Sequence, residues 1–187
     1  MPQPSTLTQF KSSLKGGGAR PNLFEVTIPS TPSGVTLDND FPILCKASSL
    51  PASNIGSIDV PYRGRTFKVA GDRTFDPWSI TVINDEDFKI RKAMETWMQI
   101  IGQYQDGSGA TNPTGYMVNA VVKQLKRNAT TTTKNFDAGL ADSAGVYTFY
   151  DIFPTNISAI DLSYDSTDTI EEFTVEFQVN YWSPGAA

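Results

Sequence analysis

Apolar and polar residues alternate over several short stretches of this chain, and apolar residues recur at convincing helical spacing in only one. The clearest alternation lies near the C-terminus. Phe173, Val175, Phe177, Val179 and Tyr181 fall on one face of an extended segment, and Thr174, Glu176, Gln178 and Asn180 on the other. A strand with one apolar and one hydrophilic face belongs in an antiparallel sheet with one wet side. Weaker versions of the pattern cover residues 22–28, 41–47, 58–62, 67–70, 75–83, 116–126, 146–153 and 156–164. Gly and Pro punctuate them. Arg63-Gly64-Arg65 reads as a tight turn with Gly64 at positive φ, Gly71-Asp72 as a break, and Pro154 as the end of a strand. Pro77 cannot donate to a ladder, which predicts an edge strand or a bulge at that point.

The helical stretch is Ile90, Met94, Trp97, Met98 and Ile101, one apolar stripe suited to packing on a sheet. Asn84 reads as its N-cap, Asp85, Glu86 and Asp87 as an acidic first turn facing the helix dipole, and Gly102 as its stop. Leu7, Phe10 and Leu14 could share one side of a short N-terminal helix, but Gly16-Gly17-Gly18 cuts it off. Residues 1–18 are therefore expected to form a flexible arm, and residues 19–187 a single domain. Seven to nine strands around one helix predict a mainly β (α+β) fold: an antiparallel β-sandwich or barrel with a flanking helix.

Charge changes this picture more than composition does. The net charge is −5, yet residues 1–134 hold all fifteen Lys and Arg against eleven of the twenty acidic residues. The remaining nine acidic residues lie in 135–187 with no basic residue beside them. Such a split is satisfied by neutralisation within the fold, or by head-to-tail contact between copies. Arg63, Arg65, Lys68 and Arg73 cluster with Tyr62 and Phe67 interleaved, a pattern that tempts a nucleic-acid reading. The acidic chain and the neighbouring Asp59, Asp72 and Asp76 argue against a phosphate grip, leaving an inter-subunit role or a solvated surface.

Candidate catalytic chemistry is sparse. With no histidine and one cysteine, neither a Ser-His-Asp or Cys-His arrangement nor a zinc site can be assembled. Asp85, Glu86 and Asp87 have a sufficient explanation as a helix start, and nothing points to a carboxylate pair. Cys45, in FPILCKA, reads as a small buried apolar residue. No enzyme, cofactor or metal is expected. There is no run of eighteen apolar residues, and the first eighteen are too polar for a secretory signal, so folding in the cytoplasm without a membrane span is expected.

The segment VPYRGRTFKVAGDRTFDPWSITVINDEDFKIRKAMETWM, with GGGARPNLFEVTIP and FPILCKASSLPASNIGSIDVPYRGR before it, resembles the major tail tube proteins of contractile-tailed, T4-like bacteriophages. The match is dense over residues 16–101 and looser from Tyr116 onward. The resemblance implies a structural virion protein with a β-sandwich and flanking helix. It implies six copies per ring, rings stacked inside a sheath, and sheath, baseplate and tape-measure proteins as further partners. Genomic DNA would pass through the lumen without specific binding, and the protein would reside in the virion tail after assembly in the host cytoplasm. A tube passing a polyanion is best not basic inside, and six copies would carry about −30 per ring. Glu176, Gln178 and Asn180 are the lumen candidates on that reading. Leu50, Ile55, Tyr62, Arg63 and Arg65, within segment 48–65, are the inter-subunit candidates. Two alternatives remain open at this point. One is the inner tube of a phage-like injection or type VI-like secretion system. The other is a soluble β-sandwich binding module, monomeric, with Trp182 or Tyr147 exposed in a groove.

Overall fold

The computed structural model describes residues 4–127 and 143–185. Along these the order is α1 (Pro4–Ser13), β1 (Phe24–Thr27), α2 (Phe41–Leu44), β2 (Cys45–Ser48), β3 (Ser53–Tyr62), β4 (Arg65–Phe75) and β5 (Trp78–Ile83). Then follow α3 (Lys89–Ile101), β6 (Val118–Leu125), β7 (Ser143–Ile157), β8 (Glu172–Gln178) and β9 (Tyr181–Gly185). Seven strands form one antiparallel sheet in the order β1-β6-β7-β8-β5-β2, with β9 added on β7, while β3 and β4 pair only with each other. The fold is the mainly β architecture that the alternating pattern predicts.

One core holds the sheet and α3 together. Trp78, Ile80 and Val82 of β5 meet Phe173, Val175 and Phe177 of β8, with Phe149 and Ile152 of β7 and Ile90, Met94 and Trp97 of α3. The Trp78 ring sits 5.0 Å from Phe149 and 5.1 Å from Phe177, so one indole bridges the two halves of the sheet. Its N–H donates to Ser48 Oγ at 3.0 Å, and the Trp97 N–H donates to the Tyr116 carbonyl at 2.7 Å. Both large aromatics thus enter the core with their polar atom satisfied.

β7 is the corner piece. Up to Ile152 it pairs with β6 or β9, and from Phe153 onward with β8. Near the end of its pairing with β6, between the Phe149–Ala120 and Ile152–Val118 pairs, Tyr150 and Asp151 oppose the single residue Asn119, a β-bulge. Asp151 takes φ 53°, and its N–H donates to Asn119 Oδ1 at 3.2 Å. Aspartate tolerates this left-handed conformation better than most residues.

Several local expectations are corrected. Gly71-Asp72 is not a break: β4 runs through it as a bulge opposite Gly56. A Cβ on Gly71 would meet the Gly56 carbonyl group at 3.3 Å, so glycine serves close approach there. Pro77 lies between strands, and β5 is an interior strand between β8 and β2, not an edge. Pro154 does not end β7, because the register shifts between Pro154 and Asn156 and absorbs it; no strand resumes at 158–164. Residues 41–44, expected as strand, make one helical turn with Pro42 in its first positions. The C-terminal segment is two strands, Tyr181 opening β9 after β8 has ended.

The central helix begins later than expected. Its N-cap position is Phe88, in the left-handed region at φ 56°, and Asp85 Oδ1 accepts the Lys89 N–H at 2.9 Å. Asp85, Glu86 and Asp87 therefore precede the helix, and Asn84 is held instead by Glu171 at 3.0 Å. Gly102 caps in an extended conformation with its N–H on the Met98 carbonyl, so its freedom at positive φ is unused. The expected loop after Arg127 lies almost wholly outside the described residues.

Asp151→Gly is expected to change stability by less than about 0.5 kcal/mol, whereas Asp151→Val, forced into the left-handed region, loses about 1–2 kcal/mol. Urea unfolding of the two variants measures this; equal stability of both would show that the corner does not depend on that backbone conformation.

Candidate assembly interface

β3 and β4 form a two-stranded ribbon standing off the main sheet. β3 has ten residues, which at a rise of about 3.3 Å per residue gives a ribbon about 33 Å long. Tyr62 and Arg65 pair across a two-residue turn in which Arg63 and Gly64 both have positive φ, 47° and 79°. That is the hairpin turn whose twist matches the strands it joins. At the base, Asp76 donates its N–H to the Ala52 carbonyl, and Phe75 packs edge-on against Trp182 at 6.0 Å.

The register sorts the ribbon into two faces. Ile58 pairs with Val69, Val60 with Phe67 and Tyr62 with Arg65, so these side chains share one face; Asp59 pairs with Lys68 on the other. The Asp59–Lys68 pair closes as an ion pair of 3.2 Å. The five apolar side chains Ile58, Val60, Tyr62, Phe67 and Val69 remain 43–67% exposed. An isolated hairpin is marginal in water, and an uncovered apolar face on it is a surface that needs a partner.

Three of the five sequence-predicted contact residues come together at the tip. Tyr62 ends β3, Arg63 stands in the turn with its guanidinium 5.4 Å from the Tyr62 ring centre, and Arg65 opens β4. Ile55 is exposed near the base of the ribbon, on the far side of the bulge from the tip. Leu50 is outside the ribbon altogether, lining a cavity of about 230 Å³ with Pro21, Phe24 and Tyr147. Ile58, Val60, Phe67 and Val69 were missing from the sequence-based set. Their alternation was present in the sequence, but only the cross-strand register brings them to one face. The expected neutralisation of the basic cluster is realised only for Lys68: among the described residues, Arg63, Arg65 and Arg73 form no ion pair.

The lumen candidates lie apart from the ribbon. Glu176 and Gln178 project from β8 on the side opposite its buried Phe173, Val175 and Phe177, and Asn180 is exposed between β8 and β9. Glu176 pairs with Ser79 and Thr174 with Thr81, so this side of the sheet is hydrophilic. α1 exposes Leu7 and Phe10, Leu14 is exposed just beyond it, and the helix ends before Gly16, Gly17 and Gly18, which all take positive φ.

A second feature is a groove of about 1060 Å³ along the 27–43 segment and Lys123. Ile28, Pro29, Leu37, Pro42 and Ile43 line part of it, and Asp38 and Asp40 line its rim. Lys123 is nearly buried and faces Glu25 across the β1–β6 ladder at 3.7 Å. Asp38 lies 3.7 Å from Lys89, whose ammonium also contacts Asp87 at 3.2 Å. The Asp87 hydrogen bond, chiefly, raises the Lys89 pKa above its ordinary value. Burial pushes the Cys45 thiol up to about 12, so it stays protonated at neutral pH. Among the described residues no group of three or more Cys, Asp or Glu could hold a metal ion, and no helix is long and apolar enough to cross a membrane.

Comparison with known proteins identifies the family. The family model for phage tail tube protein matches residues 19–184. The chain is 36% identical to tail tube protein gp19 of Enterobacteria phage T4 over 168 residues, covering 89% of this chain and 92% of that one. It is 26% identical to the tail tube protein of Serratia phage KSP90 over 178 residues, covering 93% and 94% of the two chains. In fold it resembles a chain of the sheath-tube complex of the PVC extracellular contractile injection system, with TM-score 0.57, 12% identity and full coverage of both chains. A chain of the anti-feeding prophage cap gives TM-score 0.61 at 14% identity, covering 90% and 91%. An exposed amphipathic ribbon on a β-sheet core, in a chain matched by this family over nearly its whole length, identifies a structural protein of the virion tail: this chain belongs to the phage tail tube protein family.

Proposed function

We propose that the chain forms hexameric rings that stack into the inner tube of a contractile tail, through which genomic DNA leaves the capsid. The observation that carries this is the uncovered apolar face of the β3–β4 ribbon, which only a partner can bury. Covering half of five large apolar side chains contributes about 5 kcal/mol per copy toward offsetting the cost of association, and other contacts must add to it. The strands at the two ends of the sheet path, β1 and β2, offer further unpaired edges for neighbouring copies. Action is by assembly rather than catalysis, and sheath, baseplate and tape-measure proteins are the further partners on this reading. The 36% identity with a phage tube protein, against 12–14% with injection-system chains, favours DNA over protein as the cargo.

The hydrophilic side of β5 and β8 is assigned to the lumen. Ser79, Thr81, Thr174, Glu176 and Gln178 provide a polar wall past which phosphates can slide, and the one basic side chain reaching it among the described residues, Lys46, is paired with Glu172. The absence of Lys and Arg from residues 135–187 supports the same assignment. The ribbon, with Tyr62, Arg63 and Arg65 at its tip and Ile55 near its base, is assigned to contacts between subunits; Leu50 is assigned to the same role.

Electron microscopy of the purified chain, seeded with baseplates if it remains monomeric, tests the reading: rings or hollow tubes are expected, and a seeded chain that stays monomeric would refute it. Val60→Ser with Phe67→Ser is expected to leave thermal unfolding of the monomer nearly unchanged and to raise the concentration needed for assembly by at least about tenfold. Assembly at the wild-type concentration would remove the ribbon from the interface. Lysine at Glu176, Gln178 and Asn180 is expected to slow DNA release from otherwise normal particles, measured by dye uptake of ejected genome; unchanged release would take these residues out of the lumen.

A further inference from the structure

The tip of the ribbon and the groove beside α2 are complementary in three respects. The tip presents an aromatic ring flanked by two guanidinium groups, Tyr62 with Arg63 and Arg65, all exposed. The groove presents an apolar wall ending in Ile43, itself exposed, and a rim carrying Asp38 and Asp40. Among the described residues Asp40 makes no ion pair, and Asp38 makes one, to Lys89. The groove is also roomy enough. A space of about 1060 Å³ corresponds to about 35 water molecules at roughly 30 Å³ each, ample for one tyrosine and two arginine side chains.

Within a single copy the tip is exposed and the groove is open, so each lacks the other. We infer that the ribbon tip of one copy docks in the Asp38–Asp40 groove of a second copy, with Arg63 and Arg65 pairing with the aspartates and Tyr62 lying on the apolar wall. This deepens the tube reading and rests on it. Donor and acceptor are different surfaces of the chain, so the contact is head-to-tail and propagates into a ring or a stack instead of closing as a two-fold dimer. Guanidinium groups suit carboxylates here because their fork geometry allows paired hydrogen bonds and they carry little hydration to shed. The one cation lining the groove, Lys123, is nearly buried beside Glu25, and Lys89, which reaches Asp38 at 3.7 Å, is held more closely by Asp87 at 3.2 Å. Long-range attraction between a basic tip and an acidic rim also steers the correct encounter.

The test is a charge exchange. Asp38 and Asp40 support the α2 turn through backbone carbonyls, which accept from Phe41, Ile43 and Leu44, and Asp40 makes no side-chain cap bond. Their side chains can therefore be changed without removing those bonds, and Lys89 retains Asp87. Three full-length variants are compared by light scattering and microscopy: Arg63→Glu with Arg65→Glu, Asp38→Lys with Asp40→Lys, and all four together. Thermal unfolding checks that each folds; Arg63→Gln with Arg65→Gln and Asp40→Asn serve as milder variants should a charge reversal prevent folding. Each two-site reversal is expected to raise the concentration for assembly at least about tenfold, and the four-site variant to restore it to within about threefold of wild type. The neutral variants are expected to weaken assembly less, and added salt to weaken wild-type assembly.

Normal assembly of folded two-site or neutral variants, or four-site variants as defective as the two-site ones, would overturn this contact while leaving the tube reading intact. A wild-type chain that forms no rings or tubes even on baseplates would overturn both.

Discussion

The constraint on which this structure turns is that a two-stranded ribbon cannot hold an apolar face in water on its own. β3 and β4 devote twenty-one residues to such a ribbon, closed at its base by the Asp76–Ala52 bond and packed on the body there by Phe75 against Trp182. The core beneath it, by contrast, is largely self-sufficient. The core is closed around Trp78, its indole N–H and that of Trp97 have acceptors, and α3 covers the core with its apolar stripe. A chain that buries its core and leaves its longest ribbon uncovered fits the proposal that copies of itself complete it.

Charge follows the same logic. Exposed ion pairs such as Asp59–Lys68 contribute little to stability, typically under about 1 kcal/mol, so the uneven distribution of charge does not serve the monomer. On the proposed reading it acts between copies and on cargo. The basic, aromatic tip, the acidic groove rim and the non-basic face of β8 give three surfaces of different character. Head-to-tail association needs unlike surfaces of this kind, and a conduit for a polyanion needs an inner wall that does not bind it.

Much of the fold was legible in the sequence because it is written in local periodicity. The stripe Ile90, Met94, Trp97 predicted α3, the alternation from Phe173 predicted β8, and Arg63-Gly64 predicted the turn. The failures share one cause: each depends on a residue far away in sequence. Gly71 reads as a break until Gly56 is placed against it, and Pro154 ends a strand until the register shift opposite Glu176 takes it up. The start of α3 was misplaced because Phe88 adopts a left-handed conformation that no propensity favours. The contact surface was half legible for the same reason. Tyr62, Arg63 and Arg65 are neighbours in the chain, whereas the face of Ile58, Val60, Phe67 and Val69 exists only once the two strands are in register. The groove could not be read at all, because β1, α2 and Lys123 of β6 come together only in three dimensions.

Amide hydrogen exchange across residues 54–74 addresses the central claim most directly, compared between the dilute chain and its assembled form. An unpartnered ribbon opens readily and a covered one does not. Fast exchange is expected along the whole ribbon in the dilute chain, with strong protection after assembly and little change in β5, β8 or α3. Protection already present in the dilute chain, or fast exchange persisting in tubes, would contradict that claim.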